Sequence, residues 1–339
     1  MSEVMINHGA KAGQGEGPGI LYAGLAYAIW GIIPIYWRFL GEVPPFELTT
    51  HRVLWCAIFV AGVTAWRGRL AHIITILRTP RLLGTLSVTS VLITANWTIY
   101  IYCVASNQLV EASLGYYLTP LLSMALGVFL FGERMSRVRL MGVVLAGTAV
   151  AVKAIAFGHV PWIGLSLAFS FGFYGFLRKK APVDAMDGLL IETVLLLPFT
   201  LALIVYWALT EPGAFPSTNL TMDALLIAGG PVTASPLAMF AAGARRIRLT
   251  TLGFLQYFSP SITLLLAVFG FHERFSRIDA ISFACLWAAL AIVALEGQFR
   301  PRAGDREPPS LPPQNLPPSA LPGFRVPQSR EPSPDPKAP

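Results

Sequence analysis

The stretch Glu133-Arg134-Met135-Ser136-Arg137 returns 140 residues later as Glu273-Arg274-Phe275-Ser276-Arg277. The same offset aligns four further pairs: Gly24 with Gly164, Arg38 with Arg178, Tyr117 with Tyr257, and Pro120 with Pro260. One offset that relates both halves of the chain without a gap indicates an internal duplication. We place the two copies at residues 20–157 and 160–298.

Long apolar blocks surround these motifs. Of 339 residues, 54% are hydrophobic and 13% are charged, about half the charged share of a soluble domain, and the mean hydropathy is +0.60. Apolar residues in blocks rather than in alternation exclude an ordinary soluble enzyme and disfavour an all-β barrel. A helix of about 20 apolar residues crosses a bilayer, and ten such blocks occur: 20–40, 48–66, 82–104, 110–131, 137–157, 160–178, 188–209, 222–243, 249–271 and 277–298. The predicted fold is an all-α polytopic membrane protein with ten transmembrane helices.

Basic residues between the blocks predict the orientation of the chain, because Lys and Arg concentrate in cytoplasmic loops. A cytoplasmic N-terminus puts thirteen of them in inner loops: Arg67, Arg69, Arg78, Arg81, Arg134, Arg137, Arg139, Arg178, Lys179, Lys180, Arg245, Arg246 and Arg248. The outer loops hold Arg274 and Arg277. Both termini are therefore expected in the cytoplasm, and the net charge of +7 reflects this distribution rather than nucleic-acid binding.

Each half contains five blocks, an odd number, so the second copy must enter the membrane upside down. Inverted repeats are typical of secondary transporters, whose substrate site lies near the midplane between the halves. The Gly-rich residues 1–19 are expected to be flexible. Residues 300–339, which hold thirteen of the 27 prolines, are expected to form a disordered cytoplasmic tail.

Several motifs together resemble a known family. In the first half they are Ala95-Asn96-Trp97-Thr98-Ile99-Tyr100-Ile101-Tyr102, then Glu111-Ala112-Ser113-Leu114-Gly115-Tyr116-Tyr117 and Pro120. In the second half they are Thr233-Ala234-Ser235-Pro236-Leu237, Ala244-Arg245-Arg246 and Leu252-Gly253-Phe254-Leu255-Gln256-Tyr257. From about residue 20 to residue 298 the chain resembles the RarD branch of the EamA-domain proteins, in the drug/metabolite transporter superfamily.

This resemblance implies ten helices in two inverted EamA repeats and a permease of the bacterial inner membrane. Relatives in the superfamily export or import amino acids and other small metabolites, while the RarD motifs do not encode a substrate. The second half has Pro236-Leu237 where the repeat would place Asn-Trp. The two halves are therefore not expected to bind a ligand symmetrically.

Polar residues inside the blocks are the candidates for substrate binding, because they are costly in a bilayer and usually mark pathways or helix contacts. The candidates are Asn96, Trp97, Tyr100, Asn107, Tyr117, Gln256 and Tyr257. Asn96, Tyr100 and Asn107 share one helical stripe by their spacing. Pro120 and Pro260 free a backbone carbonyl one turn earlier and are candidate helix breaks. Hydrogen bonding between helices is the alternative to cavity lining for these residues.

Three charges lie within or at the edge of the blocks. Arg52 lies roughly 10 Å from the outer face, at a rise of about 1.5 Å per residue. Glu111 begins the fourth block, at the outer face. We therefore predict that Arg52 and Glu111 form an ion pair near the outer mouth; the alternative is that both side chains extend to the surface. Glu192, the repeat counterpart of Arg52, is a candidate for carrying a proton coupled to transport, or it contacts the inner arginines instead.

These features favour a secondary transporter of a small organic metabolite, such as an amino acid or a drug-like aromatic compound, over a membrane sensor or scaffold. Trp97, Tyr100 and Tyr257 suit an aromatic or zwitterionic solute. No loop has room for a catalytic domain, and P-loop, HExxH and GxSxG-like motifs are missing, so no enzyme activity is expected. The three cysteines lack metal-ligand spacing, and no metal or cofactor is expected. Ten spans suffice for one pathway in a monomer, with a homodimer as the alternative.

Overall fold

A computed structural model describes residues 16–131, 136–210, 215–217, 219–244, 246–247 and 255–299. Within these ranges the regular secondary structure is helical, and no β-strand is found. The helices are α1 (Glu16–Phe39), α2 (Pro45–Trp66), α3 (Leu70–Leu77), α4 (Pro80–Ala105), α5 (Leu109–Phe131), α6 (Arg137–Phe157), α7 (Trp162–Lys180), α8 (Ala185–Thr210), α9 (Leu220–Ala244), α10 (Phe258–Leu265), which continues as a π-helical segment (Leu266–Gly270), and α11 (Arg277–Phe299).

Six of these helices are long and apolar enough to cross a membrane, namely α1, α2, α4, α6, α8 and α9. Proline sets two of the starts: Pro45 and Pro80 stand at the first positions of α2 and α4, where a missing N–H loses no hydrogen bond. After α2 the chain turns at Gly68, whose φ of 66° is a left-handed conformation that glycine adopts without strain. The described chain is thus an all-helical protein with several membrane-spanning helices, as its composition predicts.

The structure differs from the predicted blocks at three places. Helix α3 lies in a connection that the sequence suggested was a loop, and it buries Ile73 and Ile76. Helix α1 begins at Glu16, inside the segment expected to be flexible, because Gly17-Pro18 is compatible with a first helical turn. In the block 249–271, the described helix begins at Phe258, after a turn at residues 256–257.

Four predicted features fall outside the described residues. They are the N-terminal residues 1–15, the first motif copy at 133–135, the segment 248–254 and the Pro-rich tail at 300–339.

The helices pack in pairs that the 140-residue offset exchanges. Helix α1 packs on α9 and α10, and the helix 140 residues after it, α7, packs on α4 and α5. Helix α2 contacts its own counterpart α8, and α5 contacts its counterpart α10. Between α5 and α7, Gly115 lies so close to Gly164 that an added Cβ would overlap the Gly164 backbone. Helices from the two halves therefore interleave in one bundle.

Two clusters of buried apolar side chains form the interior. The larger one includes Trp37, Tyr100 and Tyr117, and the smaller one surrounds Cys56. Since lipid is as apolar as these side chains, close packing rather than escape from water holds such helices together. Arg52 lies one turn before Cys56 on α2, so this charged residue stands where the two clusters meet.

Candidate functional site

The guanidinium of Arg52 is enclosed by aromatic side chains and one hydroxyl group. Arg52 is 7% exposed, and its Nε donates a hydrogen bond of 3.0 Å to Oγ1 of Thr233 on α9. Its Cζ lies 4.1 Å from the ring centroid of Trp97 and 4.8 Å from that of Trp37. Both distances fall within the range of cation–π attraction. We call Trp37, Arg52, Trp97 and Thr233 the Arg52 cluster.

The groups around this cluster are uncharged at neutral pH. The thiol of Cys56 and the phenols of Tyr116, Tyr100 and Tyr36 lie within electrostatic range of Arg52. Tyr100 packs edge-on against Tyr116 with ring centroids 5.7 Å apart. Among the described side chains, no carboxylate forms an ion pair with Arg52. The cluster is therefore a buried positive charge inside an aromatic enclosure.

The predicted ion pair between Arg52 and Glu111 is not present in this conformation. Glu111 Oε2 lies 2.7 Å from Nζ of Lys153 on α6, whereas Arg52 bonds to Thr233. Arg52 contacts side chains of α1, α4 and α9, whereas Glu111 contacts α6. The depth of each residue along its helix did not reveal the direction in which its side chain points.

Asn96 connects three helices. Its Nδ2 donates to the carbonyl oxygen of Leu167 at 3.1 Å and to Oγ of Ser170 at 2.9 Å, both on α7. Its Oδ1 accepts a hydrogen bond of 3.0 Å from the hydroxyl of Tyr116 on α5. In this conformation Asn96 therefore makes the helix–helix hydrogen bonds that were the alternative to cavity lining.

Tyr117 and Tyr257 meet although they lie in different halves of the chain. Their rings stack at an interplanar angle of 11° with centroids 6.2 Å apart, and the Tyr117 hydroxyl hydrogen-bonds Oγ of Ser261 at 2.5 Å. Gln256 precedes Tyr257 in the turn before α10. The structure thus brings together three of the predicted site residues at the contact between α5 and α10.

The two prolines predicted as helix breaks occupy different settings. Pro120 lies within the continuous helix α5. Pro260 is the third residue of α10, just after the turn at 256–257. A proline in the first turn of a helix needs no N–H partner, so Pro260 stands at a helix start and Pro120 does not interrupt its helix.

Asn107 does not lie on the α4 stripe with Asn96 and Tyr100. Helix α4 ends at Ala105, and Asn107 follows it with a φ of 55°, a left-handed conformation that asparagine tolerates better than most residues. Its Oδ1 accepts a hydrogen bond of 2.6 Å from Arg38. The continuous-helix spacing used to place Asn107 fails because the helix has already ended.

Asn107 and Arg38 help to line a cavity of about 660 Å³ at the face of the bundle where α1, α4 and α6 end. Charged side chains dominate its lining, among them Glu111, Lys153, Glu273 and Asp279. Lys153 Nζ lies 2.7 Å from Glu111 and 3.1 Å from Oδ1 of Asp279. Both oxygens of Glu273 accept backbone N–H groups at the start of α5, at 2.9 Å each, and so replace partners that a helix N-terminus lacks.

Glu192 belongs to a second buried cluster of polar side chains. Its Oε1 accepts a hydrogen bond of 2.7 Å from Thr89 and lies 3.6 Å from Nε of Arg178. Its Oε2 accepts one of 3.3 Å from the Tyr174 hydroxyl. Arg178 is one of the inner arginines, so Glu192 makes the contact that was the alternative to a free proton carrier.

Sequence reasoning missed Trp37, Lys153, Thr233 and Asp279. Lys153 was detectable, because a lone cation inside an apolar block is a functional or structural signal in itself. Asp279 lies at the start of the last block and could have been proposed as an ion-pair partner of Lys153. Thr233 lies in one of the motifs that carry the family resemblance, but neither this motif nor the sequence around Trp37 indicates a contact with Arg52, since that depends on which helices face α2.

The sequence of the chain is similar to those of known transporters. The model of the EamA-like transporter family matches residues 17–154. An uncharacterized transporter of Vibrio cholerae is 40% identical over 82% of this chain and 92% of its own length. Protein RarD of Escherichia coli is 40% identical over 84% of this chain and 96% of its own length.

A crystal structure of another protein superimposes on the chain with a TM-score of 0.53, at 20% sequence identity, over 84% of this chain and 98% of that one. Since the identity is low, this likeness concerns the fold.

Proposed function

Because this chain belongs to the EamA-like transporter family, in its RarD branch, we propose that it is a secondary transporter that moves a small organic metabolite across the bacterial inner membrane. Transport proceeds by alternating access between two inverted repeats, residues 20–157 and 160–298. Both termini face the cytoplasm. Such a carrier needs no cofactor, and its partners are the solute, the lipid bilayer and, in the coupled form described below, protons.

The pairing of helices supports the two-repeat arrangement. A twofold relation between halves allows a helix to contact its own counterpart and repeats other contacts in exchanged pairs, such as α1 with α9 and α7 with α4. The contacts of α2 with α8 and of α5 with α10 are of the first kind. The stack of Tyr117 on Tyr257 joins equivalent residues of the two halves, as expected close to such an axis.

The Arg52 cluster is the observation that carries the proposal. Arg52, Trp37 and Trp97 belong to the first half, whereas Thr233 belongs to the second. A movement of one half against the other therefore opens or remakes the bond between Arg52 and Thr233. Substrate sites of inverted-repeat carriers lie at such a contact between halves.

Glu192 is the proposed group for proton coupling. It lies 1% exposed against Arg178, Tyr174 and Thr89, and rearrangement of α7 against α8 would separate it from Arg178. A carboxyl group that loses a cationic partner inside a bilayer binds a proton more readily. Proton uptake and release would then follow the opening and closing of this contact.

Counterflow in proteoliposomes tests the proposal. Vesicles are preloaded with a panel of amino acids and small aromatic metabolites, and the uptake of each labelled solute is followed for wild type, Thr233→Val and Thr148→Val. We expect one class of solute to accumulate with wild type, and the Thr233 variant to be slower by about tenfold, since a hydrogen bond to a charged group contributes about 1.5 kcal/mol or more. Thr148, whose exposed hydroxyl bonds within α6, is the matched control and should transport normally.

Two results would count against the proposal. If folded wild-type protein moves no solute in the panel, the result favours a sensor or scaffold over a carrier. If Glu192→Gln still responds to an imposed pH gradient as wild type does, the coupling role of Glu192 is wrong while the carrier function stands.

A further inference from the structure

Three cations in the described bundle, the buried Arg52 and Lys153 and the half-buried Arg178, show how this chain neutralises positive charge. Lys153 lies within 3.1 Å of two carboxylates, Glu111 and Asp279. Arg178 lies 3.6 Å from Glu192. Arg52 differs from both, since the described residue that accepts its hydrogen bond is an uncharged hydroxyl, Thr233.

An uncompensated guanidinium is costly at this depth. Charged side chains within membrane spans are rare and pair with one another or face a cavity. Cation–π contact with Trp97 and Trp37 offsets only part of this cost, since an indole carries no negative charge to neutralise the cation. The Arg52 cluster is therefore complete only when an anion joins it.

We infer that the solute carried by this protein has a carboxylate group, and that Arg52 binds this group; the inference rests on the transporter function proposed above. Nε of Arg52 is already bound to Thr233, and among the described residues no acceptor bonds to its two terminal nitrogens. These nitrogens form a planar fork that matches the two oxygens of a carboxylate.

The charge balance favours a carboxylate over a phosphate ester. Arg52 supplies one positive charge, and no carboxylate among the described residues forms an ion pair with it. One carboxylate brings the cluster to zero net charge. A phosphate monoester carries close to two negative charges at pH 7 and would leave an excess negative charge in a low-dielectric site.

The walls of the cluster indicate the rest of the solute. The faces of Trp37 and Trp97 flank the guanidinium, and Tyr100 packs edge-on against Tyr116, which bonds to Asn96 beside Trp97. Flat aromatic walls bind apolar or aromatic groups through contact area and ring stacking. The solute is thus an organic carboxylate with an apolar or aromatic body.

Matched pairs of ligands that differ only in charge test this inference. The probes are acetate, benzoate, 3-phenylpropionate and phenylalanine, each beside its primary amide. Two readouts are taken on the full chain: competition with counterflow, and the shift of the thermal unfolding midpoint in detergent, which reports binding without transport. For the best pair, the carboxylate should bind about 10- to 100-fold more tightly than the amide, since a charge-assisted bond contributes about 1.5–3 kcal/mol.

Substitutions of Arg52 test whether this residue causes the preference for the carboxylate over the amide. Arg52→Gln should reduce the carboxylate-to-amide ratio to about one, and Arg52→Lys should retain part of it, because a point charge replaces the planar fork. Arg67→Gln removes an exposed arginine that caps the same helix and should leave the ratio unchanged. If Arg52→Gln does not fold, the Arg52→Lys and wild-type ratios still decide.

Each outcome discriminates. Equal binding of carboxylate and amide in every pair, or an unchanged ratio in a folded Arg52→Gln protein, overturns the inference and leaves the carrier function intact. Carboxylate-specific stabilisation that depends on Arg52, without counterflow of any solute, supports binding at Arg52 and refutes transport.

Discussion

Replacing Lys153 by Met removes the cation that a buried carboxylate, Asp279, and a half-buried one, Glu111, share. The side chains of Lys153 and Asp279 are 6% and 7% exposed, and that of Glu111 is 19% exposed. Breaking a buried ion pair by removing one partner costs about 3–5 kcal/mol, because a charge is left without compensation. Asp279 keeps two hydrogen bonds from Ser276, of 2.7 and 2.9 Å, so we expect the lower end, about 3 kcal/mol of the free energy of unfolding.

Reversible unfolding in mixed detergent micelles measures this loss. Arg137→Met, which removes an exposed cation from the start of the same helix, is the matched control and should unfold like wild type. A triple variant, Lys153→Met with Glu111→Gln and Asp279→Asn, should recover most of the lost stability, because no unpaired charge remains. Wild-type stability of the single variant, or a triple variant no more stable than the single one, would refute this account of the cavity charges.

Three further predictions concern packing, capping and orientation. Gly115→Ala should lower the free energy of unfolding by about 1–3 kcal/mol, the usual cost of overpacking, since its Cβ would overlap the backbone of α7. The control is Gly147→Ala, where a Cβ meets nothing within 4 Å, and it should be neutral in the same unfolding assay. Glu273→Ala should cost about 1–2 kcal/mol, the usual loss of a helix cap, and Glu273→Gln less, as measured by unfolding. For orientation, one cysteine is introduced, as His159→Cys or as Arg78→Cys, into a variant without the native cysteines. In intact cells an impermeant maleimide should label the cysteine at 159 and not the one at 78; the reverse pattern would place the termini outside.

The spans were predictable because a membrane helix is specified by composition along the chain. Twenty consecutive apolar residues have few alternatives in a bilayer, and the blocks at 48–66 and 82–104 correspond to α2 and α4. Helix α3 escaped prediction because eight residues are too short to be recognised among charged neighbours. Asn107 was misplaced for a related reason, since helix ends depend on local backbone conformation that the apolar pattern does not encode.

The interaction partners of the charged residues were less predictable than the depths of these residues in the membrane. The rise per residue fixes how deep Arg52 and Glu111 lie, and both were placed toward the same face by it. Which neighbour each one meets depends on the rotation of its helix about its own axis, and this rotation is set by the packing of all surrounding helices. Thr233 lies 181 positions from Arg52 in the chain, so only a three-dimensional arrangement connects them.

The two halves share packing at some equivalent positions and differ in charge at others. Tyr117 and Tyr257 are equivalent, and their rings stack on each other, as identical side chains can at a twofold contact. Arg52 and Glu192 are also equivalent in the repeat, yet one bears a positive and the other a negative charge, and only Glu192 has a charged partner in the described structure. Equivalent positions thus hold opposite charges, of which that of Glu192 is paired within the described protein. In the inverted-repeat carrier that we propose, this difference lets the two halves present unlike groups to an asymmetric solute, and Arg52 is the group that we assign to its carboxylate.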